Sequence, residues 1–113
     1  MKHIEDDLQI DCVLWFKSRY PNILIHHSPN GGYRNAREAA RFKQMGTQSG
    51  FPDLFIAAAK KGYNGLYIEL KAGKNKPTDK QLSVMQKLEN EGYKCVVCYC
   101  FDEFKITVNE YLK

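Results

Sequence analysis

Asp53-Leu54-Phe55-Ile56-Ala57-Ala58-Ala59, the link Lys60-Lys61-Gly62-Tyr63-Asn64-Gly65, and Leu66-Tyr67-Ile68-Glu69-Leu70-Lys71 together decide how this chain is read. Two apolar runs flank a stretch with the composition of a hairpin turn, so residues 54–59 and 66–71 are expected to pair as strands. Strand side chains alternate faces, which puts Ile68 and Leu70 on one side and Glu69 and Lys71 on the other. Pairing of the two runs brings Asp53 to the Glu69 end, and two carboxylates then stand beside an ammonium. Carboxylate oxygens are the hard ligands that Mg²⁺ or Mn²⁺ prefers, and such an ion activates water and stabilises charge growing on a phosphoryl oxygen. Lys71 is placed to orient the attacking water or to neutralise the transition state. The chemistry this set suits is phosphodiester hydrolysis. The same alternation also describes an ordinary exposed ion pair, worth roughly 0–1 kcal/mol, and the spacing alone does not separate the two.

Working outward, Ile4, Leu8, Cys12, Val13, Trp15 and Phe16 recur at helical spacing over residues 4–20, and Pro21 closes the segment. Glu5 and Gln9 fall inside that apolar arc, where an unpaired carboxylate is costly to bury. A metal or a cation would relieve the cost; so would partial solvation and the dipole of the helix N-terminus. A strand over residues 23–27 runs into the turn-forming Ser28-Pro29-Asn30-Gly31-Gly32. Asn35 with Glu38, and Thr78 with Gln81, have the spacing of capping boxes opening helices that stop at Gly46 and Gly92. A last strand over residues 93–101 leads to a final helix that Asp102 can cap. The predicted order is α-β-α-β-β-α-β-α in one domain, residues 1–113, with no repeat and no internal linker.

At 113 residues and 43% hydrophobic content the chain suffices for one modest core, and its net charge of +4 suits a polyanionic partner without requiring one. No apolar run approaches the roughly 20 residues of a membrane span, and the N-terminus lacks a signal peptide's apolar region, so a cytoplasmic protein with reduced cysteines is expected. Cys95-Val96-Val97-Cys98 has the spacing of a metal or redox pair, but within a strand the two thiols point to opposite faces and no second pair exists. They read as buried small hydrophobes, like Cys12.

Further candidates lie in the loops and the second helix. Lys74 and Lys76 make the segment after Lys71 basic, as expected of a contact to phosphates or simply of a solvated loop. Arg34, Arg37 and Arg41 form a stripe along one face of the second helix, suited to a nucleic-acid backbone or to solvent. Gln81 has a capping role and also borders the expected cleft. His26 and His27 are consecutive in a strand, so at most one faces any given site, and neither has metal-ligand spacing.

Taken in order, these segments resemble the VRR-NUC family of PD-(D/E)XK nucleases, whose stand-alone members are often encoded by phages. Glu5 to Gln9 is similar to the family's N-terminal E-x-x-x-Q, and Ser28-Pro29-Asn30-Gly31-Gly32-Tyr33-Arg34 to its PNG segment. Gly46 to Leu54 resembles the glycine-rich approach to the PD motif, and Gly65 to Lys71 followed by Gln81 completes the set. The resemblance implies a restriction-endonuclease-like α/β core, a small mixed β-sheet flanked by helices. It implies that Asp53 and Glu69 bind the metal, that Lys71 is the catalytic lysine, and that Glu5, as a further ligand, and Gln81 lie in the active site. Asn30 would join Arg34, Arg37, Arg41, Lys74 and Lys76 in contacting nucleic acid. Small stand-alone members look like junction resolvases that act as homodimers on branched DNA, so the expected activity is Mg²⁺- or Mn²⁺-dependent cleavage of four-way junctions in the cytoplasm, a bacterial host's if phage-encoded. A monomeric flap or nicking nuclease and a non-catalytic DNA-binding module are the competing readings.

Overall fold

The computed structural model describes residues 4–28 and 35–113. The described elements follow the predicted order: α1 (Ile4–Arg19), β1 (Ile25–His27), α2 (Ala36–Gln44), β2 (Leu54–Ile56), β3 (Leu66–Leu70), α3 (Asp79–Asn90), β4 (Lys94–Cys98) and α4 (Phe101–Leu112). The strands make one mixed sheet in the order β1-β2-β3-β4, antiparallel across the first two joints and parallel at the third. The turn into β3 works because Lys61 and Gly62 both take positive φ, 53° and 86°. Tyr63 N–H then donates to the Lys60 carbonyl at 2.8 Å, the turn chemistry whose twist suits paired strands.

The first strand starts at Ile25 rather than residue 23 and β3 ends at Leu70 rather than residue 71, and further expected boundaries move for hydrogen-bonding reasons. β2 stops at Ile56 rather than running to residue 59: Ala57 N–H still makes an in-register bond to the Leu24 carbonyl, but Ala58 N–H folds back onto Ile56, both at 3.0 Å. β4 covers only Lys94–Cys98, because Tyr99 N–H is taken by the Glu103 carboxylate at 2.7 Å. The cap position of α4 is Cys100, not Asp102, and its side chain makes no cap bond. Glu103 reaching back serves instead, while Asp102 sits in the first turn and pairs with Lys105 at 3.5 Å.

Alternation along the strands divides the molecule into layers. Leu54, Ile56, Leu66, Ile68, Leu70 and Cys98 point to one side of the sheet and are sealed by Cys12 and Phe16 of α1 and by Phe104, Val108 and Tyr111 of α4. Complete burial of each large side chain stabilises the fold by about 1.5–3 kcal/mol. On the other side α3 packs against β4, burying Val84 and Met85. Cys95 Sγ points that way, 3.6 Å from the Met85 carbonyl, whereas Cys98 Sγ approaches the Thr107 hydroxyl of α4 at 3.7 Å. The two thiols do lie on opposite faces. All four cysteines are free, and burial pushes the Cys95 thiol up to about 12. No described helix is long and apolar enough to cross a membrane.

The approach to Asp53 is fixed by Gly50. Its φ is +82°, and a Cβ there would stand 2.9 Å from Lys80 Cγ and 3.1 Å from the Lys80 carbonyl oxygen, so the loop lies directly on the start of α3. Gly50→Ala is expected to lower stability by about 1–3 kcal/mol, from positive-φ strain and the displaced contact. Chemical denaturation checks this: an unchanged midpoint would show that the loop does not depend on close seating.

Candidate active site

The β2–β3 register sets the centre. Leu54 pairs with Ile68 and Phe55 with Tyr67, so one step outward Asp53 falls opposite Glu69, as the hairpin reading requires. Asp53 Oδ2 accepts the backbone N–H of Leu70 at 2.7 Å. Burial pushes its carboxyl up and Glu5 adds to the rise, while the Leu70 N–H, Lys71 and His27 pull the other way.

Among the described residues Glu69 is the one charged residue of the buried set, 2% exposed. Its Oε2 lies 3.4 Å from Lys71 Nζ and accepts from Gln81 Nε2 at 3.0 Å. Its Oε1 is buried and has no hydrogen-bond partner. Burial, reinforced by the Asp53 charge, pushes the Glu69 carboxyl up to about 7 against the pull of Lys71 and of the Asp53 backbone N–H, which approaches the carboxylate without meeting hydrogen-bond geometry at Oε1. An exposed ion pair has none of these properties: the Lys71 side chain is 11% exposed and that of Glu69 3%. The mundane reading of the E-x-K alternation therefore falls.

Gln81 turns out to do two jobs at once. Its N–H donates to the Thr78 hydroxyl at 3.1 Å and its Oε1 accepts from Thr78 N–H at 2.9 Å, a complete capping box. That leaves Nε2 aimed at Glu69, so the start of α3 fixes the carboxylate's orientation.

Glu5 comes to the rim from the first turn of α1, where it is half-buried. Its Oε2 accepts from the Asn75 amide at 3.3 Å. On one side of Glu5 a recess of about 430 Å³ is lined by Gln9, His27, Asp53 and Leu70. On the other an opening of about 520 Å³ is lined by Ala72, Gly73, Lys74 and Asn75. Partial solvation and proximity to Asp53 thus both apply to Glu5. Lys74 is brought to this rim, and Lys76 is exposed on the same loop.

Among the described residues no three His, Cys, Asp or Glu side chains converge into a group that would hold a metal by themselves. Asp53, Glu69 and Glu5 are therefore an open set rather than a closed cage. That suits Mg²⁺ or Mn²⁺, since Mg²⁺ commonly takes one or two carboxylates and keeps several waters. The unpartnered Glu69 oxygen is the sharper indication. A buried carboxylate oxygen without a partner costs folding free energy, and a bound cation would offset that cost.

The remaining candidates divide. Arg37 and Arg41 are exposed on α2, which buries none of its residues, and no described contact ties them to the carboxylates. Asn30 and Arg34 lie outside the described residues. Of the two histidines, His27 reaches the recess, with Nδ1 3.0 Å from the Asp53 backbone carbonyl, whereas His26 pairs with Phe55 and shares the sheet face of Phe55 and Tyr67. Asn75 was not legible as a site residue, because a lone Asn between two lysines carries no motif and its partner is 70 positions away.

A mixed sheet with an acidic hairpin beside a lysine, closed by helices on both faces, is the PD-(D/E)XK nuclease fold. The chain belongs to the VRR-NUC family, whose domain model matches residues 4–102. A solved structure described as a VRR_NUC domain protein is 34% identical, with a TM-score of 0.81 over 99% of this chain and 90% of that one. A second, described as a VRR_NUC domain, superposes with a TM-score of 0.63 at 19% identity over 95% of this chain and 96% of that one, which shows the fold alone. No curated protein matches. Membership makes this a nuclease-type, DNA-processing domain.

Proposed function

We propose that this domain is a Mg²⁺- or Mn²⁺-dependent DNA endonuclease that hydrolyses phosphodiester bonds in branched DNA, four-way junctions foremost, as a homodimer. The observation that carries the reading is Glu69: one oxygen held by Lys71 and Gln81, the other buried without a partner, directly across the hairpin from Asp53. Asp53 and Glu69, with Glu5 from α1, would hold the ion. When bound, it supplies a water of lowered pKa and a counter-charge for the phosphoryl oxygens.

The chain's own groups do the rest. Lys71 favours the ionised form of Glu69 and presents an ammonium where negative charge grows on the phosphoryl group. Gln81 holds the Glu69 carboxylate in one orientation, so little reorganisation accompanies the reaction. Lys74 and Lys76 at the rim, with Arg34, Arg37, Arg41 and Asn30, contact the backbone and position the strand. Two symmetric cuts in a four-way junction call for two copies of the site related by a two-fold axis.

The test is end-labelled four-way junction, flap and linear duplex incubated with Mg²⁺, Mn²⁺ or EDTA, alongside light scattering of the protein. Paired symmetric cuts in the junction, abolished by EDTA, are expected. Cleavage of the flap alone by a monomer overturns the junction assignment. No metal-dependent cleavage of any substrate overturns the enzyme.

A further inference from the structure

The face that carries Asp53, Glu69 and Lys71 continues, one pleat repeat along the strands, into a row of rings. Register pairs His26 with Phe55 and Phe55 with Tyr67 across β1, β2 and β3. Phe55 and Tyr67 stack at 4.5 Å between ring centres, and Phe51 and Tyr93 meet Tyr67 edge-on at 5.4 and 5.3 Å. The four aromatic rings are half-buried and His26 is exposed. A cluster serving only the fold would be sealed, as Phe16, Phe104 and Tyr111 are on the opposite face. This one keeps ring surface in water beside the carboxylates.

We propose that this row is a stacking platform for an unpaired base of the DNA strand bound at the site. The inference rests on the nuclease reading and narrows its substrate. Phe55 and Tyr67 are each two residues from Asp53 and Glu69 on the same face, a separation of about 6.5–7 Å along a strand. That is on the order of one nucleotide step along a DNA backbone. A phosphate held at the carboxylates therefore sets the adjoining nucleotide over the rings. Bases inside a duplex are stacked on each other and closed to such a platform, whereas a branch point offers bases that are not. Rings give sequence-tolerant affinity because every base has a π-face. The platform therefore selects for unpaired structure, not for base identity.

The test is binding in EDTA, where hydrolysis plays no part. The probes are a forked oligonucleotide, the same fork with an abasic site at each of the three nucleotides flanking the branch, and a blunt duplex. Fork affinity is expected to fall roughly fivefold to a hundredfold for one abasic position. Tyr67→Leu, which keeps apolar bulk but removes the π-face, should lose the same factor on the intact fork and no more on the abasic one. His26→Ala, an exposed position, gives a smaller loss without risk to folding. Equal binding of intact and abasic forks by the wild-type protein overturns the proposal, as does a Tyr67→Leu defect equally large on blunt duplex. Cleavage measured separately with Mn²⁺ distinguishes the failures: cutting without abasic sensitivity removes the platform and leaves the nuclease, whereas abasic sensitivity without cutting does the reverse.

Discussion

Lys71→Ala is expected to lower the rate of DNA cleavage by about 10²- to 10⁴-fold, the range associated with removing one group that acts in the transition state. The geometry makes the loss larger than that of an ordinary cation. Lys71 Nζ lies 3.4 Å from Glu69 Oε2 and is one of the influences holding down a carboxyl that burial has already pushed to about 7. Without the ammonium the carboxyl rises further and takes up a proton at neutral pH. One substitution would thus remove both the charge proposed to face the phosphoryl group and the ionised state of the carboxylate proposed to hold the metal. The fold should survive, because a protonated Glu69 is the cheaper group to bury. The measurement is the single-turnover cleavage rate in Mn²⁺ at pH 7 and at pH 9, with circular dichroism as the folding control. A partial recovery at the higher pH would report the Glu69 contribution and leave a residual defect due to the lost ammonium. Wild-type rates in the variant would remove the lysine from the mechanism.

The site's central trio could be read from three residues, but the reason it is a site could not. Strand alternation places Glu69 and Lys71 on one face whether that face is wet or buried, and local spacing carries no information about which. Burial comes from α3 closing over β4 and from Gln81 reaching Glu69 out of its capping box, contacts between segments far apart in sequence. The starts of α2 and α3 were legible because their caps Asn35 and Thr78 act locally, Thr78 with Gln81 reading the same in sequence and in space, whereas the cap expected at Asp102 was not the one α4 uses. Strand ends were less so. Ala58 N–H turns back onto the Ile56 carbonyl and Tyr99 N–H goes to Glu103, partners that composition does not reveal. Glu5 looked misplaced on its helical wheel, and it does border the Asp53 recess, yet the group that holds it is Asn75.

The unpartnered Glu69 oxygen also makes stability depend on pH and metal in a direction opposite to that of most acidic side chains. In the metal-free chain the folded-state pKa, about 7, lies above the ordinary 4.5. Between those values the folded protein keeps a proton that the unfolded chain has released, so stability is greatest below pH 4.5 as far as this group is concerned and falls as pH rises through 7. The loss is on the order of 3 kcal/mol at most, and Asp53, also pushed up by burial, contributes with the same sign. Thermal denaturation in EDTA across pH 4.5 to 8 should therefore show a decline. Glu69→Gln should flatten most of it, because an amide has no charge to desolvate, although Lys71 then keeps an unpaired ammonium and absorbs part of the gain. Mn²⁺ should raise the wild-type melting temperature more at pH 8 than at pH 5, since the ionised carboxylate is the ligand. It should do much less for the Gln variant, which is also expected to be inactive. Burying this carboxyl thus costs metal-free stability at neutral pH. An EDTA profile that rises from pH 4.5 to 7, or a metal response that Glu69→Gln leaves unchanged, would show that Glu69 is only a buried structural acid.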